Sequence, residues 1–95
     1  MNQYEVVYII RMGLEDEART ELIEKFKTII TEDGGTIDKI DEWGKRKLAY
    51  LIDDEAEGYY VLMQFTAGPD LPKELERNFK INDDIMRYQT VRIEK

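Results

Sequence analysis

Two hydrophobic periods alternate along these 95 residues, and their order leaves few ways to fold. YEVVYIIR (4–11) alternates by two, with Val6, Tyr8 and Ile10 on one face and Val7 and Ile9 on the other. From Glu15 the spacing changes to three and four, through Ala18, Leu22, Ile23, Phe26, Ile29 and Ile30. That predicts an amphipathic helix with acidic residues in its first turn, stopped by Gly34 and Gly35. TIDKIDEWGKRKLAYLI (36–52) returns to strand period but changes phase. Ile37 is odd, whereas Ile40, Leu48, Tyr50 and Ile52 are even. One extra residue must be absorbed to keep these inward, and Gly44 is the expected β-bulge. On this parity Leu48, Tyr50 and Ile52 face the core.

DDEAEG (53–58) reads as a polar loop, YYVLMQFT (59–66) as the returning strand of a hairpin. A second helix is expected over 68–80, with Asp70 as N-cap, Pro72 in the first turn and Leu71, Leu75 and Phe79 as its buried stripe. IMRYQTVRI (85–93) closes the chain as a fourth strand, with Arg87 and Arg92 projecting from it. The order βαββαβ is the split βαβ, ferredoxin-like arrangement of the α+β class. Two right-handed βαβ units give a four-stranded antiparallel sheet with two helices on one face. The other face is left open, and function is sought there. Residues 1–95 form a single domain, because a chain this short supports one core.

Cysteine and histidine are absent, which removes disulfides, thiolate and imidazole catalysis, and zinc sites built from those ligands. Carboxylates are plentiful at Glu15-Asp16-Glu17, Asp53-Asp54 and Asp83-Asp84, but they fall in loops and a helix start, where solvation or capping suffices. No catalytic residue, metal or cofactor is expected. The N-terminal stretch has no basic region or cleavage site, and no apolar run reaches the roughly 18 residues of a membrane span, so a soluble cytoplasmic chain is expected.

The chain is acidic, at net −7, yet DEWGKRKLAYLI (41–52) sets Lys45, Arg46 and Lys47 between Trp43 and Tyr50. Segments 1–40 and 53–72 together hold 14 acidic and five basic residues, so the acidity lies elsewhere. A basic triplet on a strand can be a solvated edge that discourages aggregation. Here Lys45 and Lys47 share one side and Arg46 takes the other, beside the only tryptophan.

Other chains share the topology. Acylphosphatase-like enzymes cradle phosphate in a glycine-rich loop after the first strand; the equivalent Arg11-Met12-Gly13-Leu14 has one glycine and reads as an ordinary strand-to-helix turn. An RNA-recognition motif carries a third-strand signature that Gly58, Tyr59 and Phe65 fit, but Glu57, Tyr60 and Val61 depart from it.

Trp43-Gly44-Lys45-Arg46-Lys47-Leu48-Ala49-Tyr50, with Gly58-Tyr59-Tyr60 and Asp83-Asp84-Ile85-Met86-Arg87-Tyr88, resembles bacterial small-subunit ribosomal protein six. Tyr4-Glu5 and Leu75-Glu76-Arg77 fit as well, so the similarity runs over essentially the whole chain. The resemblance implies a ribosomal assembly protein that binds the central domain of small-subunit ribosomal RNA as a heterodimer with ribosomal protein eighteen. It implies no membrane and no small-molecule substrate. Carried over by position, the RNA-binding candidates are Tyr4, Lys45, Arg46, Lys47, Arg87 and Arg92. Trp43, Tyr50, Tyr59 and Tyr60 are the candidates for the partner-protein interface. Members commonly carry basic residues after the initiator Met, where this chain has Asn2-Gln3. A stand-alone ferredoxin-like RNA-binding or regulatory dimer is the alternative.

Overall fold

The computed structural model describes residues 1–52 and 55–93, with side chains outside 49–55. Its elements are β1 (Asn2–Arg11), α1 (Asp16–Glu32), β2 (Thr36–Ile52), β3 (Glu55–Ala67), α2 (Leu71–Ile81) and β4 (Ile85–Ile93). The sheet order is β2-β3-β1-β4, every pair antiparallel, as the split βαβ reading requires.

Residues opposite each other in an antiparallel pair point to the same face, so the register sorts the side chains. Tyr4, Val6 and Tyr8 stand opposite Phe65, Met63 and Val61, and all six are buried under the helices. Leu22, Ile23, Phe26 and Ile30 of α1 and Leu71, Leu75 and Phe79 of α2 complete this core. Phe26 and Phe79 lie 4.6 Å apart between ring centroids, and Tyr8 packs on both at 5.3 and 5.1 Å. Burial pushes the Tyr8 phenol far above the ordinary tyrosine range, with the Glu42 charge adding to the shift. Ala18, one turn ahead of Leu22 on the expected stripe, is exposed instead; the buried stretch of α1 begins at Leu22.

The glycine stop of α1 is a paired C-cap. Gly34 (φ +85°) donates to the Thr31 carbonyl at 3.1 Å and Gly35 to the Ile30 carbonyl at 2.9 Å, satisfying two carbonyls the helix leaves over. Asp70 precedes α2 as expected, yet its backbone is helical (φ −89°, ψ −15°) and its side chain makes no capping bond.

β2 absorbs its phase change at three places: between Ile37 and Lys39, between Glu42 and Gly44, and between Lys47 and Ile52. Gly44, at φ +82°, is the expected bulge, where a non-glycine residue is strained. β3 begins at Glu55, so residues 55–58 belong to the strand rather than the expected loop, and Asp53-Asp54 lie outside the described residues.

The core assignment of Leu48 is corrected. β1 pairs with β3 only as far as Arg11 and Gly58, whereas Lys47 already stands opposite Glu57. Leu48 therefore sits on a hairpin that runs past the rest of the sheet, half-buried and apart from the core cluster. Its expected partners in parity, Tyr50 and Ile52, have side chains outside the described set. Leu48→Ala is expected to cost under about 1 kcal/mol, against the 2–5 kcal/mol of a core leucine. A urea melt reads the difference, and a loss above about 2 kcal/mol would restore Leu48 to the core.

Candidate nucleic-acid interface

The face away from the helices is set by the same register. β1 presents Gln3, Glu5, Val7, Ile9 and Arg11; β3 presents Gly58, Tyr60, Leu62, Gln64 and Thr66 opposite them. β4 adds Arg87, Gln89, Val91 and Ile93, and β2 adds Asp41 and Arg46. Trp43 occupies the bulge before Gly44 and folds over this face, with its ring stacked on Tyr60 (centroids 6.2 Å apart, 18° between planes). Its Nε1 donates to Asp41 Oδ2 at 3.2 Å, which fixes the indole's edge. The Arg46 guanidinium lies 5.5 Å from the Trp43 ring centre, a cation–π contact. Tyr60, Val7, Ile9, Tyr88, Gln89 and Arg87 line a shallow hollow of about 140 Å³ beside the stack.

Four predicted site residues thus converge on one surface: Arg46, Trp43, Tyr60 and Arg87. The others do not. Lys45 stands opposite Tyr59 on the helix side of the sheet, its ammonium 3.3 Å from the Glu57 carboxylate. Lys47 stands opposite Glu57 on that same side. Tyr59 donates its hydroxyl to Glu42 Oε1 at 2.8 Å under the Arg19 guanidinium, 4.1 Å from the ring centre. Partial burial and the Glu42 contact push the Tyr59 phenol above the ordinary tyrosine range, against the opposing pull of Arg19. Tyr59 fastens the start of α1 to the hairpin and offers no plane to a base, so its fit to the RNA-recognition signature is coincidental.

Tyr4 lies apart from that surface. Its ring is buried in the core 5.6 Å from that of Phe65, and its hydroxyl accepts from Asn2 Nδ2 at 3.2 Å. Arg92 stands opposite Tyr4 and donates to Asn2 Oδ1 at 3.0 Å, at the far end of the sheet from Arg46. Tyr50 lies outside the described side chains.

Sequence reasoning passed over Val7, Ile9 and Gln89, which border the hollow. The alternation along β1 already put Val7 and Ile9 on the second face, and that was the available signal. The Arg11 guanidinium reaches Asp84 Oδ1 at 2.7 Å, and its backbone N–H meets the Asp84 carbonyl at 2.8 Å. The loop that an acylphosphatase-like enzyme would use for phosphate is therefore tied to the start of β4. Among the described residues no cluster of three or more Asp or Glu could hold a metal, and no helix is long and apolar enough to cross a membrane.

Residues 3–92 match the family model for ribosomal protein S6. The small ribosomal subunit protein bS6 of Alkaliphilus oremlandii is 52% identical over 95 residues, covering all of both chains. That of Thermoanaerobacter pseudethanolicus is also 52% identical, again over the whole of both chains. The crystal structure of 30S ribosomal protein S6 from Thermotoga maritima superposes with a TM-score of 0.92 at 36% identity, covering 97% of this chain and 87% of that one. The architecture read from periodicity and the identity over the full length agree: the chain belongs to the ribosomal protein S6 family, a structural protein of the small ribosomal subunit rather than an enzyme.

Proposed function

We propose that this chain binds the central domain of small-subunit ribosomal RNA as a heterodimer with ribosomal protein eighteen. The observation that carries the RNA contact is the Arg46–Trp43–Tyr60 stack, with Arg87 on the same face. A guanidinium held against an indole keeps its charge in place without a carboxylate partner, which suits it to a phosphate oxygen. Such contacts position the protein and carry little base specificity.

The need for a partner follows from charge. At net −7 the chain opposes a polyanion at long range, and few of its cations share one surface. Proteins that bind nucleic acid tightly neutralise about 6–10 phosphates, more than Arg46, Arg87 and the flanking lysines supply.

A filter-binding titration in about 0.15 M salt tests this. The lone chain is expected to bind central-domain RNA at micromolar affinity or weaker, in the non-specific range. Ribosomal protein eighteen should improve it at least tenfold. Reversing Arg46 and Arg87 to Glu should weaken the heterodimer's RNA affinity about tenfold, with circular dichroism melts separating loss of fold from loss of contact. Nanomolar binding by the lone chain would remove the partner's role, and an unaltered affinity in the double reversal would remove the RNA site.

A further inference from the structure

The bulge that carries Trp43 has little to hold it on its own strand. On β2 three steps lead from Glu42 to Lys45, whereas on β3 two lead from Val61 to Tyr59, their partners in the ladder. The surplus residue is unpaired, as in any bulge. Gly44 follows it at φ +82°, and nothing lies within 4 Å of a Cβ built there. No neighbour props the backbone at that point, and glycine turns more freely than other residues. The Trp43 Nε1 bond goes to Asp41 on the same strand, so it does not tie β2 to β3 across the gap.

A hydroxyl on the helix side does so. Tyr59 stands opposite Lys45, the residue after the bulge, yet it donates to Glu42 Oε1, the residue before it, at 2.8 Å. The bond therefore spans the surplus residue and sets how β2 bends between its two ends. Its acceptor is a carboxylate, which strengthens such a bond. The ring is fixed in turn by the Arg19 guanidinium, 4.1 Å over its centre. Arg19 donates to Asp16 Oδ1 at 2.8 Å, one turn earlier on α1, and its side chain is 20% exposed. Contacts thus run without a break from the first turn of α1 to the bulge. On the opposite face of the same segment Trp43 stacks on Tyr60, and Arg46 lies against Trp43.

We propose that Arg19, Tyr59 and Glu42 are positioning residues that lock the bulge from the helix side, so that Trp43 and Arg46 hold one arrangement on the open face. Glu42 and Trp43 are consecutive, so a backbone rotation that frees Glu42 swings the indole off Tyr60. Arg46 then loses the ring that holds its guanidinium. A group held in place before binding has less freedom to lose on binding. The effect on RNA rests on Arg46 being a phosphate contact; the lock itself is a property of the lone chain.

Trp43 is the only tryptophan, so its signals in the lone chain read the lock directly. Tyr59→Phe keeps the ring under Arg19 and removes only the hydroxyl. It should raise acrylamide quenching of Trp43 about twofold and lower the near-ultraviolet circular dichroism of the stacked rings by about half. Glu42→Ala should do the same, and Glu42→Gln, which keeps an acceptor oxygen, should restore both signals. Thr66→Val is the control. It removes another hydroxyl–carboxylate bond between these strands, from Thr66 to Asp38 at 2.7 Å, at the register shift after Ile37, and should leave Trp43 unchanged. Thermal melts show that each variant is folded. Unaltered Trp43 signals in Tyr59→Phe would overturn the lock, as would an equal change in Thr66→Val, which would make the bond merely structural. Paired with ribosomal protein eighteen, Tyr59→Phe should bind central-domain RNA about threefold more weakly. Unchanged RNA affinity in Tyr59→Phe, where Arg46→Glu weakens it, would overturn the positioning role. Unchanged affinity in both variants would instead sink the phosphate reading of Arg46, and the Trp43 signals would decide the lock by themselves.

Discussion

Phe79→Ala should remove about 3–5 kcal/mol of stability, the largest loss expected from any single truncation in this chain. Phe79 is where four elements meet. From α2 its ring lies 4.6 Å from Phe26 of α1, 5.1 Å from Tyr8 of β1 and 5.2 Å from Tyr88 of β4. Truncation therefore deletes one buried ring and leaves three others facing a cavity that none can fill without leaving its own packing. The two helices also lose their aromatic bridge, since Phe26 and Phe79 are the rings that join them. A domain of this size has about 5–15 kcal/mol in all, so the variant should be partly unfolded near physiological temperature. Urea melts at low temperature provide the measurement. A loss below about 1.5 kcal/mol would mean that the helices collapse onto the sheet without this joint.

The same aromatic cluster explains why the architecture could be read from the sequence. Leu71, Leu75 and Phe79 recur at helical spacing, and Tyr4, Val6 and Tyr8 alternate, so the covered face of each element was fixed by period alone. The stop at Gly34-Gly35 and the bulge at Gly44 were legible for another reason: both need a positive φ, and glycine marks such positions. The register shifts after Ile37 and after Lys47 carry no such mark, and they were missed. Leu48 failed more instructively. Parity tells which face a side chain takes but not whether anything covers that face, and the hairpin runs past the end of β1.

The candidate site was legible in part on the same terms. Trp43 and Arg46 were singled out together, and the structure stacks one upon the other. Tyr59 and Tyr60 were assigned to one interface although neighbours on a strand point to opposite faces; only Tyr60 reaches the stack. Tyr4 is an RNA-contact candidate through the resemblance alone, and its alternation with Val6 and Tyr8 places its ring in the core. What no period reveals is the distribution of charge across strands, because Glu5, Asp38 and Asp41 meet only once the register is known.

Gly58 provides the last test, since it joins the fold to the site. It stands opposite Arg11 on β1 and opposite Arg46 on β2, at the root of the hairpin. A Cβ built there would come within 2.3 Å of Ile9 Cγ2, while Met86 Sδ, at 3.6 Å, would be in ordinary contact. Ile9 is 7% exposed, so its branched methyl has little room to yield. Gly58→Ala should therefore cost about 1–3 kcal/mol through overpacking, despite the 0.4–1 kcal/mol that losing a glycine's freedom in the unfolded chain returns. Gly44 makes the contrast: nothing lies within 4 Å of its built Cβ, but φ is +82°, so Gly44→Ala costs roughly 1–2 kcal/mol in the backbone itself. The two causes separate through Ile9→Leu, which moves the branch from Cβ to Cγ and so removes the offending methyl. Combined with Gly58→Ala it should recover about 1 kcal/mol or more beyond the sum of the single effects; combined with Gly44→Ala it should recover nothing. Urea midpoints of the two double-mutant cycles give the coupling directly. Additivity within about 0.5 kcal/mol in the Gly58 cycle would show that the methyl is not the obstacle.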